Sequence, residues 1–215
     1  MEVSFMSNAK QIDQLLEGFL KRGLPGCGLK VVQYGNTLYE GYFGVTDIDT
    51  KTPVTKDTLF RQASMSKIPL YTVMMMLYER GKFLLTDPIG DYLPEWKTST
   101  RYDRHPNGYV DIVPTSRPIN IRDVMSMKCG LPYCNSAAPT HDLVMTGMQE
   151  CMQPLWEKGS YTLKEHLSAM SKAPLACDPG THWIYGFSSE LAAGIIEAVC
   201  DKPVNDVFKE MLFDP

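Results

Sequence analysis

Residues 58–71 read Thr-Leu-Phe-Arg-Gln-Ala-Ser-Met-Ser-Lys-Ile-Pro-Leu-Tyr and contain a Ser-x-x-Lys motif formed by Ser64 and Lys67. The apolar run at 70–77 behind the motif predicts a buried helix, with Ser64 at its start and Lys67 one turn later. Because residues three apart share a helix face, the hydroxyl and the amine can meet. A serine hydroxyl is a weak nucleophile until a neighbouring group takes its proton, so this spacing predicts a serine nucleophile paired with a lysine.

Composition and charge limit the partners that the chain can have. Of the 215 residues, 44% are hydrophobic and 21% are charged, which is typical of an ordinary globular protein. A net charge of −4 gives no basis for binding nucleic acid or an anionic membrane, and no apolar run approaches the roughly 20 residues of a membrane span. Residues 1–14 lack the pattern of a signal peptide, which favours a cytoplasmic location.

The cysteine and histidine patterns predict no metal and no organic cofactor. No Cys-x-x-Cys pair, His-Glu-x-x-His motif or glycine-rich phosphate loop occurs in the chain. In a reducing compartment the simplest expectation is that the six cysteines are free thiols. They are Cys27, Cys129, Cys134, Cys151, Cys177 and Cys200.

The N-terminal part of the chain predicts one helix followed by a hairpin. Asn8 can cap a helix with apolar residues at helical spacing, and Gly23 can end it. Two strand-like runs follow, at 28–34 and 37–43, and Gly35-Asn36 between them is a turn signal.

The rest of the chain is predicted to be mostly helical. The helix after Ser64 should end near Gly81, and the polar, proline-containing stretch 97–120 has no periodicity, which favours a long surface excursion. Further helices are predicted at 121–127, 141–156, 163–170, 188–199 and 204–212. Two strands followed by many helices favour an α+β fold with a helical region and an antiparallel sheet.

In several of its sequence features, the chain resembles the serine β-lactamase-like hydrolases. Their class C branch includes class C β-lactamases, D,D-peptidases, family VIII carboxylesterases and related acyltransferases. Besides Ser64 and Lys67, the resemblance rests on blocks that occur in the family's order and cover nearly the whole chain. The blocks are Leu24-Pro25-Gly26, Asp57 to Arg61, Leu84 to Pro88, Tyr92 to Glu95, Ile121 to Met125, Gly130-Leu131-Pro132 and Pro179 to Tyr185.

The resemblance implies a β-lactamase/penicillin-binding-protein-like transpeptidase fold. Residues 1–215 would form the N-terminal portion of a single catalytic domain, with a helix and the first sheet strands in 1–60 and a mostly helical region in 61–215. Residues 211–215 resemble a point where relatives continue with the remaining sheet strands and a third motif, which are missing from this chain. We therefore expect a truncated or split piece, whose partner would be a complementing C-terminal polypeptide or a homo-oligomer.

The resemblance also assigns roles to site residues. Tyr185-Gly186-Phe187 resembles the family's second motif, so Tyr185 would exchange protons with Ser64, and whether Lys67 or Tyr185 is the base stays open. Phe187 stands where β-lactamases have an asparagine, and its apolar ring suits the acyl group of an ester. The expected catalytic residues are Ser64, Lys67 and Tyr185, and the expected substrate-binding residues are Phe187 and His182.

The function implied is a serine hydrolase that acts on carboxylic esters through an acyl-enzyme. One alternative is a β-lactamase or D,D-peptidase acting on amides, and another is a catalytically weak ligand-binding fragment. A Ser-His-Asp triad is the rival chemistry, but no Gly-x-Ser-x-Gly elbow occurs. His166 is expected at the surface, and Glu190 is expected to be a helix-terminal charge.

Overall fold

A computed structural model describes residues 2–133 and 141–214 of the chain, and it contains two compact units, residues 1–62 and 63–215. The first unit consists of α1 (Glu2–Lys21), β1 (Gly26–Gln33) and β2 (Asn36–Gly44). The described part of the second unit contains α2 (Lys67–Glu79), β3 (Thr100–Arg104), β4 (Val110–Pro114), α3 (Ile121–Met125), α4 (His141–Lys158), α5 (Leu163–Met170), α6 (Ser188–Cys200) and α7 (Val204–Phe208).

The first helix begins earlier than the sequence predicted. The structure has α1 running through Asn8 from Glu2 onwards, so the prediction of a cap at Asn8 was wrong. The residues before Asn8 include neither proline nor glycine, and nothing local therefore stops the helix from extending. The predicted stop is confirmed, because the helix ends at Lys21 and Gly23 takes a φ of 104°.

The hairpin that follows is confirmed, but its turn lies one residue earlier than predicted. Strands β1 and β2 pair antiparallel, with Gln33 opposite Asn36. The two loop residues are therefore Tyr34 and Gly35, with φ values of 48° and 78°. Positive φ values at both loop residues match the strand twist in a two-residue hairpin. Glycine adopts such a φ easily, so Gly35 occupies the second loop position and Asn36 belongs to the strand.

The predicted surface excursion at 97–120 is wrong, because β3 and β4 form an antiparallel hairpin there. Charged residues in β3 hide the strand pattern from a reading of periodicity. The hairpin is fixed to the chain at Leu175, whose N–H donates to Thr100 O at 2.8 Å and whose carbonyl accepts from Tyr102 N at 2.9 Å. An ion pair of 2.9 Å between Arg101 Nε and Asp178 Oδ2 adds to this connection.

The core of the second unit forms around α2 and α6. Both helices carry apolar residues at helical spacing, and these residues are buried against each other and against α3, α5 and α7. Among the fully buried side chains are Val73, Met74, Leu77, Leu191, Ile195 and Ile196. The predicted helices at 163–170 and 188–199 are confirmed to within one residue at their ends.

The segment that leads into α6 is held by a close backbone approach at Gly186. Gly186 forms an isolated bridge with Pro132, and the N–H of Phe187 donates to Leu131 O at 2.9 Å. A Cβ atom built on Gly186 would lie 1.7 Å from Leu131 O, far inside van der Waals contact. Only glycine fits between these two backbone segments, and the segment positions its neighbour Tyr185.

Replacing Gly186 with alanine should therefore destabilise the protein strongly. The clash is with backbone, which cannot move aside as a flexible side chain would, so we expect the free energy of unfolding to fall by about 3 kcal/mol or more. Urea denaturation measures the change. Gly18→Ala is the control, because its new Cβ meets nothing within 4 Å and an alanine in a helix interior should stabilise the protein slightly. Equal stability of the two variants would contradict the packing argument.

Candidate active site

The Ser-x-x-Lys motif lies at the junction between a tight turn and α2. Residues Ala63–Ser66 form a 3-10 turn, and α2 begins at Lys67. Ala63 takes a φ of 45°, which is rare for a residue with a Cβ atom. The Lys67 Nζ donates to the Ser64 Oγ across 3.4 Å, and Ser64 itself is exposed. The structure thus brings together the hydroxyl and the amine that the spacing predicted.

Tyr185 is the third group at this point. Interaction with the side chains of Ser64 and Lys67 lowers the pKa of the Tyr185 phenol below its usual value. The Lys67 Nζ also lies 5.1 Å from the centroid of the Tyr185 ring, within the range of a cation–π interaction. An alcohol, an ammonium and a phenol that gives up its proton more easily than usual therefore lie in one cluster.

Tyr133 belongs to the same cluster, and the sequence analysis missed it. The Lys67 Nζ lies 5.5 Å from the centroid of the Tyr133 ring, and the rings of Tyr133 and Tyr185 meet edge to face at 5.5 Å. Burial raises the pKa of Tyr133, so its hydroxyl stays protonated and acts as a donor. The available signal was its position directly after the Gly130-Leu131-Pro132 block.

Glu190 lies in the first turn of α6, as expected for a helix-terminal charge, but it also reaches the cluster. The Tyr133 hydroxyl donates to Glu190 Oε1 at 3.3 Å. Glu190 Oε2 is buried and has no hydrogen-bond partner, and burial raises the pKa of the carboxyl. The sequence signal was the spacing, since Glu190 follows Phe187 by three residues at the start of a helix.

The two predicted substrate-binding residues lie in different surroundings. The Phe187 ring packs edge to face on Tyr133, with centroids 4.6 Å apart. His182 is exposed, and its Nδ1 lies 2.9 Å from Thr181 Oγ1. Within the part of the chain that the structure describes, no hydrogen bond or ring contact joins His182 to the catalytic candidates, and its role stays a prediction.

Two further aromatic side chains extend the surroundings of the site. Trp183 is 65% exposed, and its ring centroid lies 6.3 Å from that of Tyr185. The prediction that His166 lies at the surface was wrong, because it is half-buried, stacks on Tyr161 at 5.8 Å and approaches Phe187 at 6.4 Å. Burial lowers the pKa of His166, and its Nε2 is buried without a partner. The site therefore borders an aromatic surface.

The described ranges, residues 2–133 and 141–214, bear on metal binding and on membrane association. In these ranges, no group of three or more His, Cys, Asp or Glu side chains is placed to hold a metal ion. No helix in the same ranges is long and apolar enough to cross a membrane. The five cysteines in this part of the chain are free thiols, and Cys134 lies outside the described residues.

Comparison with known proteins places this geometry in a wider context. Esterase EstB from Burkholderia gladioli is 24% identical over 212 residues, which cover 97% of this chain and 50% of the esterase. The structure of EstCE1, a hydrolase with promiscuous acyltransferase activity, superimposes with a TM-score of 0.78 at 25% identity, covering 99% of this chain and 52% of EstCE1. Simvastatin synthase LovD from Aspergillus terreus has a TM-score of 0.73 at 22% identity, covering 94% and 52%, and shows the shared fold.

The extent of these matches confirms the predicted fold class and the resemblance on which it rested. The chain spans about half the length of each of these relatives. A family model described as Beta-lactamase matches residues 12–215, which is nearly all of the sequence. By this match, and in keeping with the Ser64, Lys67 and Tyr185 cluster, the chain belongs to the beta-lactamase family.

Proposed function

We propose that this chain provides the nucleophilic site of a serine hydrolase that cleaves carboxylic esters through an acyl-enzyme. The observation that carries the proposal is the placement of Lys67 Nζ 3.4 Å from Ser64 Oγ and 5.1 Å from the centroid of the Tyr185 ring. Ser64 would attack the ester carbonyl carbon while its proton moves to Tyr185. The same tyrosine would then give the proton to the leaving alcohol.

Tyr185 is the proposed base, and Lys67 the proposed fixed charge. Lys67 Nζ lies against the faces of two aromatic rings, those of Tyr133 and Tyr185, and ring faces attract a cation. An ammonium can stabilise the phenolate form of Tyr185 but cannot take a proton from Ser64. The backbone N–H of Ser64 would hold the oxyanion, and a water molecule would release the acyl group by the reverse proton transfers.

An ester is the proposed substrate because of the aromatic surface beside the nucleophile. Phe187 and Tyr133 pack edge to face next to the Lys67 and Tyr185 cluster, and Phe187 has no amide with which to bind a peptide-like side chain. The relatives named esterase and hydrolase support the same choice. β-Lactamases have an asparagine at the position of Phe187, and this chain lacks that amide. This difference argues against β-lactam or D-Ala-D-Ala amides as substrates.

The proposal extends to the assembly in which the site works. Since the chain spans about half the length of its relatives, we propose that a complementing polypeptide or a second copy of this chain supplies further groups, including a second oxyanion donor. Residues 1–60 and 61–215 would be parts of one catalytic domain. The free thiols of the five described cysteines support a cytoplasmic location.

Labelling of Ser64 tests the proton-transfer roles. The rate of reaction with a fluorophosphonate should rise with pH as Tyr185 loses its proton, with a midpoint below the usual tyrosine value because Ser64 and Lys67 lower the pKa of Tyr185. Tyr185→Phe should remove this limb and slow labelling by roughly 10²-fold or more. Intact-mass spectrometry measures the rate, with Ser64→Ala as the blank and exposed Tyr34→Phe as the matched control. An unchanged pH profile in Tyr185→Phe would exclude this base.

Substrate preference tests the role of Phe187. Phe187→Asn removes apolar surface and adds an amide, so the ratio of kcat/KM for a short p-nitrophenyl ester to that for a chromogenic cephalosporin should fall roughly tenfold. The matched control is Phe213→Asn, the same exchange at a side chain that is 65% exposed. A wild-type protein that prefers the cephalosporin would refute the ester proposal in favour of the amide alternative.

Native mass spectrometry tests the proposed assembly. The material that hydrolyses the ester should contain either a second polypeptide or more than one copy of this chain, because one oxyanion donor alone lowers the rate by roughly 10²–10³-fold. Addition of the separated second component should restore turnover. Ordinary enzyme rates from a monomeric 215-residue chain would show that no partner is needed.

A further inference from the structure

Glu190 occupies an unusual position for a carboxyl group. One oxygen, Oε1, accepts a hydrogen bond of 3.3 Å from the Tyr133 hydroxyl, and the other, Oε2, is buried without any hydrogen-bond partner. A buried carboxylate oxygen that makes no hydrogen bond is unfavourable unless a nearby charge compensates for it. Burial raises the pKa of Glu190, and the positive charge of Lys67 acts in the opposite direction and favours the ionised carboxyl.

The surroundings of this pair strengthen the interaction between the two charges. Lys67 and Glu190 both line a cavity of about 280 Å³, and most of its walls are apolar, including Leu70, Ala193 and Phe208. Charges beside apolar protein surface interact more strongly than charges in bulk water. Glu190 is therefore coupled to the site electrostatically, although no direct hydrogen bond joins it to Ser64 or Tyr185 in the described residues.

Tyr133 connects the carboxyl to the catalytic cluster. Its hydroxyl binds Glu190, its ring face lies under the Lys67 Nζ, and its ring meets that of Tyr185 at 5.5 Å. A single side chain thus touches the carboxyl, the ammonium and the proposed base. Movement of the Tyr133 hydroxyl end would move the ring that faces Lys67, since an aromatic side chain rotates as one rigid body.

We propose that Glu190 is a positioning residue whose carboxylate, held in place by the Tyr133 hydroxyl, offsets part of the Lys67 charge at Tyr185 and so tunes how readily Tyr185 accepts the Ser64 proton. This inference rests on the proposed function of the same site. Glu190 would touch neither the substrate nor the reacting atoms. The negative charge of its carboxylate would limit the effect of the Lys67 ammonium on Tyr185. Tyr185 would then be basic enough to take up a proton and acidic enough to return it.

The direction of the effect follows from the charges that surround the two groups. The groups that act on Glu190 are Lys67 and Tyr71 of α2, Tyr133 and Tyr185, while His166 of α5 faces Phe187. The negative charge of Glu190 raises the pKa of Tyr185, against the effect of Ser64 and Lys67, which lower it. Removing the Glu190 charge should therefore lower the pKa of Tyr185 further.

The test follows the protonation of Tyr185 directly. Protein with ¹³Cζ-labelled tyrosine is titrated by NMR as wild type, as Glu190→Gln and as Glu79→Gln, and the Tyr185 signal is identified by its loss in Tyr185→Phe. Glu79→Gln removes the same charge from an exposed side chain at the end of α2. The midpoint of Tyr185 should fall in Glu190→Gln and stay in place in Glu79→Gln. An unchanged midpoint in Glu190→Gln overturns the proposal, whatever its effect on thermal stability.

A second readout separates this inference from the proposed function. Below the midpoint, fluorophosphonate labelling of Ser64 should be roughly two- to tenfold faster in Glu190→Gln, because a lower pKa of Tyr185 leaves more of the phenol ionised at the same pH. A shifted midpoint in protein that never labels would support the role of Glu190 and contradict the hydrolase function. Labelling with an unmoved midpoint would support the hydrolase function and refute the role of Glu190.

Discussion

The position of one ammonium group determines the chemistry of this molecule. Lys67 Nζ lies against the ring faces of Tyr133 and Tyr185 and donates to the Ser64 hydroxyl 3.4 Å away. A cation placed in this way orients the Ser64 hydroxyl and favours the deprotonated phenol at the same time. The packing of the second unit keeps the Lys67 cation, the two tyrosine rings and the Ser64 hydroxyl close together.

The scaffold achieves this with two rigid connections. The apolar faces of α2 and α6 pack into one core, which fixes the start of α2, where Lys67 lies, relative to the start of α6, where Glu190 lies. The backbone bridge between Pro132 and Gly186 then brings Tyr133 and Tyr185 side by side. Tightly packed interiors leave little freedom for small displacements, so groups that come from distant parts of the sequence keep a defined geometry.

Sequence reasoning succeeded where the information is local. The Ser-x-x-Lys spacing and the apolar period of α2 and α6 lie within one or two helical turns, and the bounds of α6 and the meeting of Ser64 and Lys67 followed from them. The predicted start of α2 at Ser64 was wrong, because Ala63–Ser66 form a 3-10 turn and α2 begins at Lys67. Sequence reasoning failed where tertiary contacts decide. Tyr133 and Glu190 are 57 positions apart and meet only after folding, while β3 and β4 carry charges that hide their strand pattern. The hairpin turn moved by one residue because backbone twist, rather than residue preference alone, selects the loop.

The left-handed conformation of Ala63 has a consequence for the neighbouring Ser64 hydroxyl. A residue with a Cβ atom at a φ of 45° carries strain of about 1 kcal/mol, and the folded chain must hold it in place. Glycine would relieve that strain, but it would widen the range of conformations open to the turn before Ser64. Alanine restricts the turn, so the Ser64 hydroxyl is already positioned in the folded protein. The entropy cost of ordering this turn is met during folding and does not oppose the binding of a substrate.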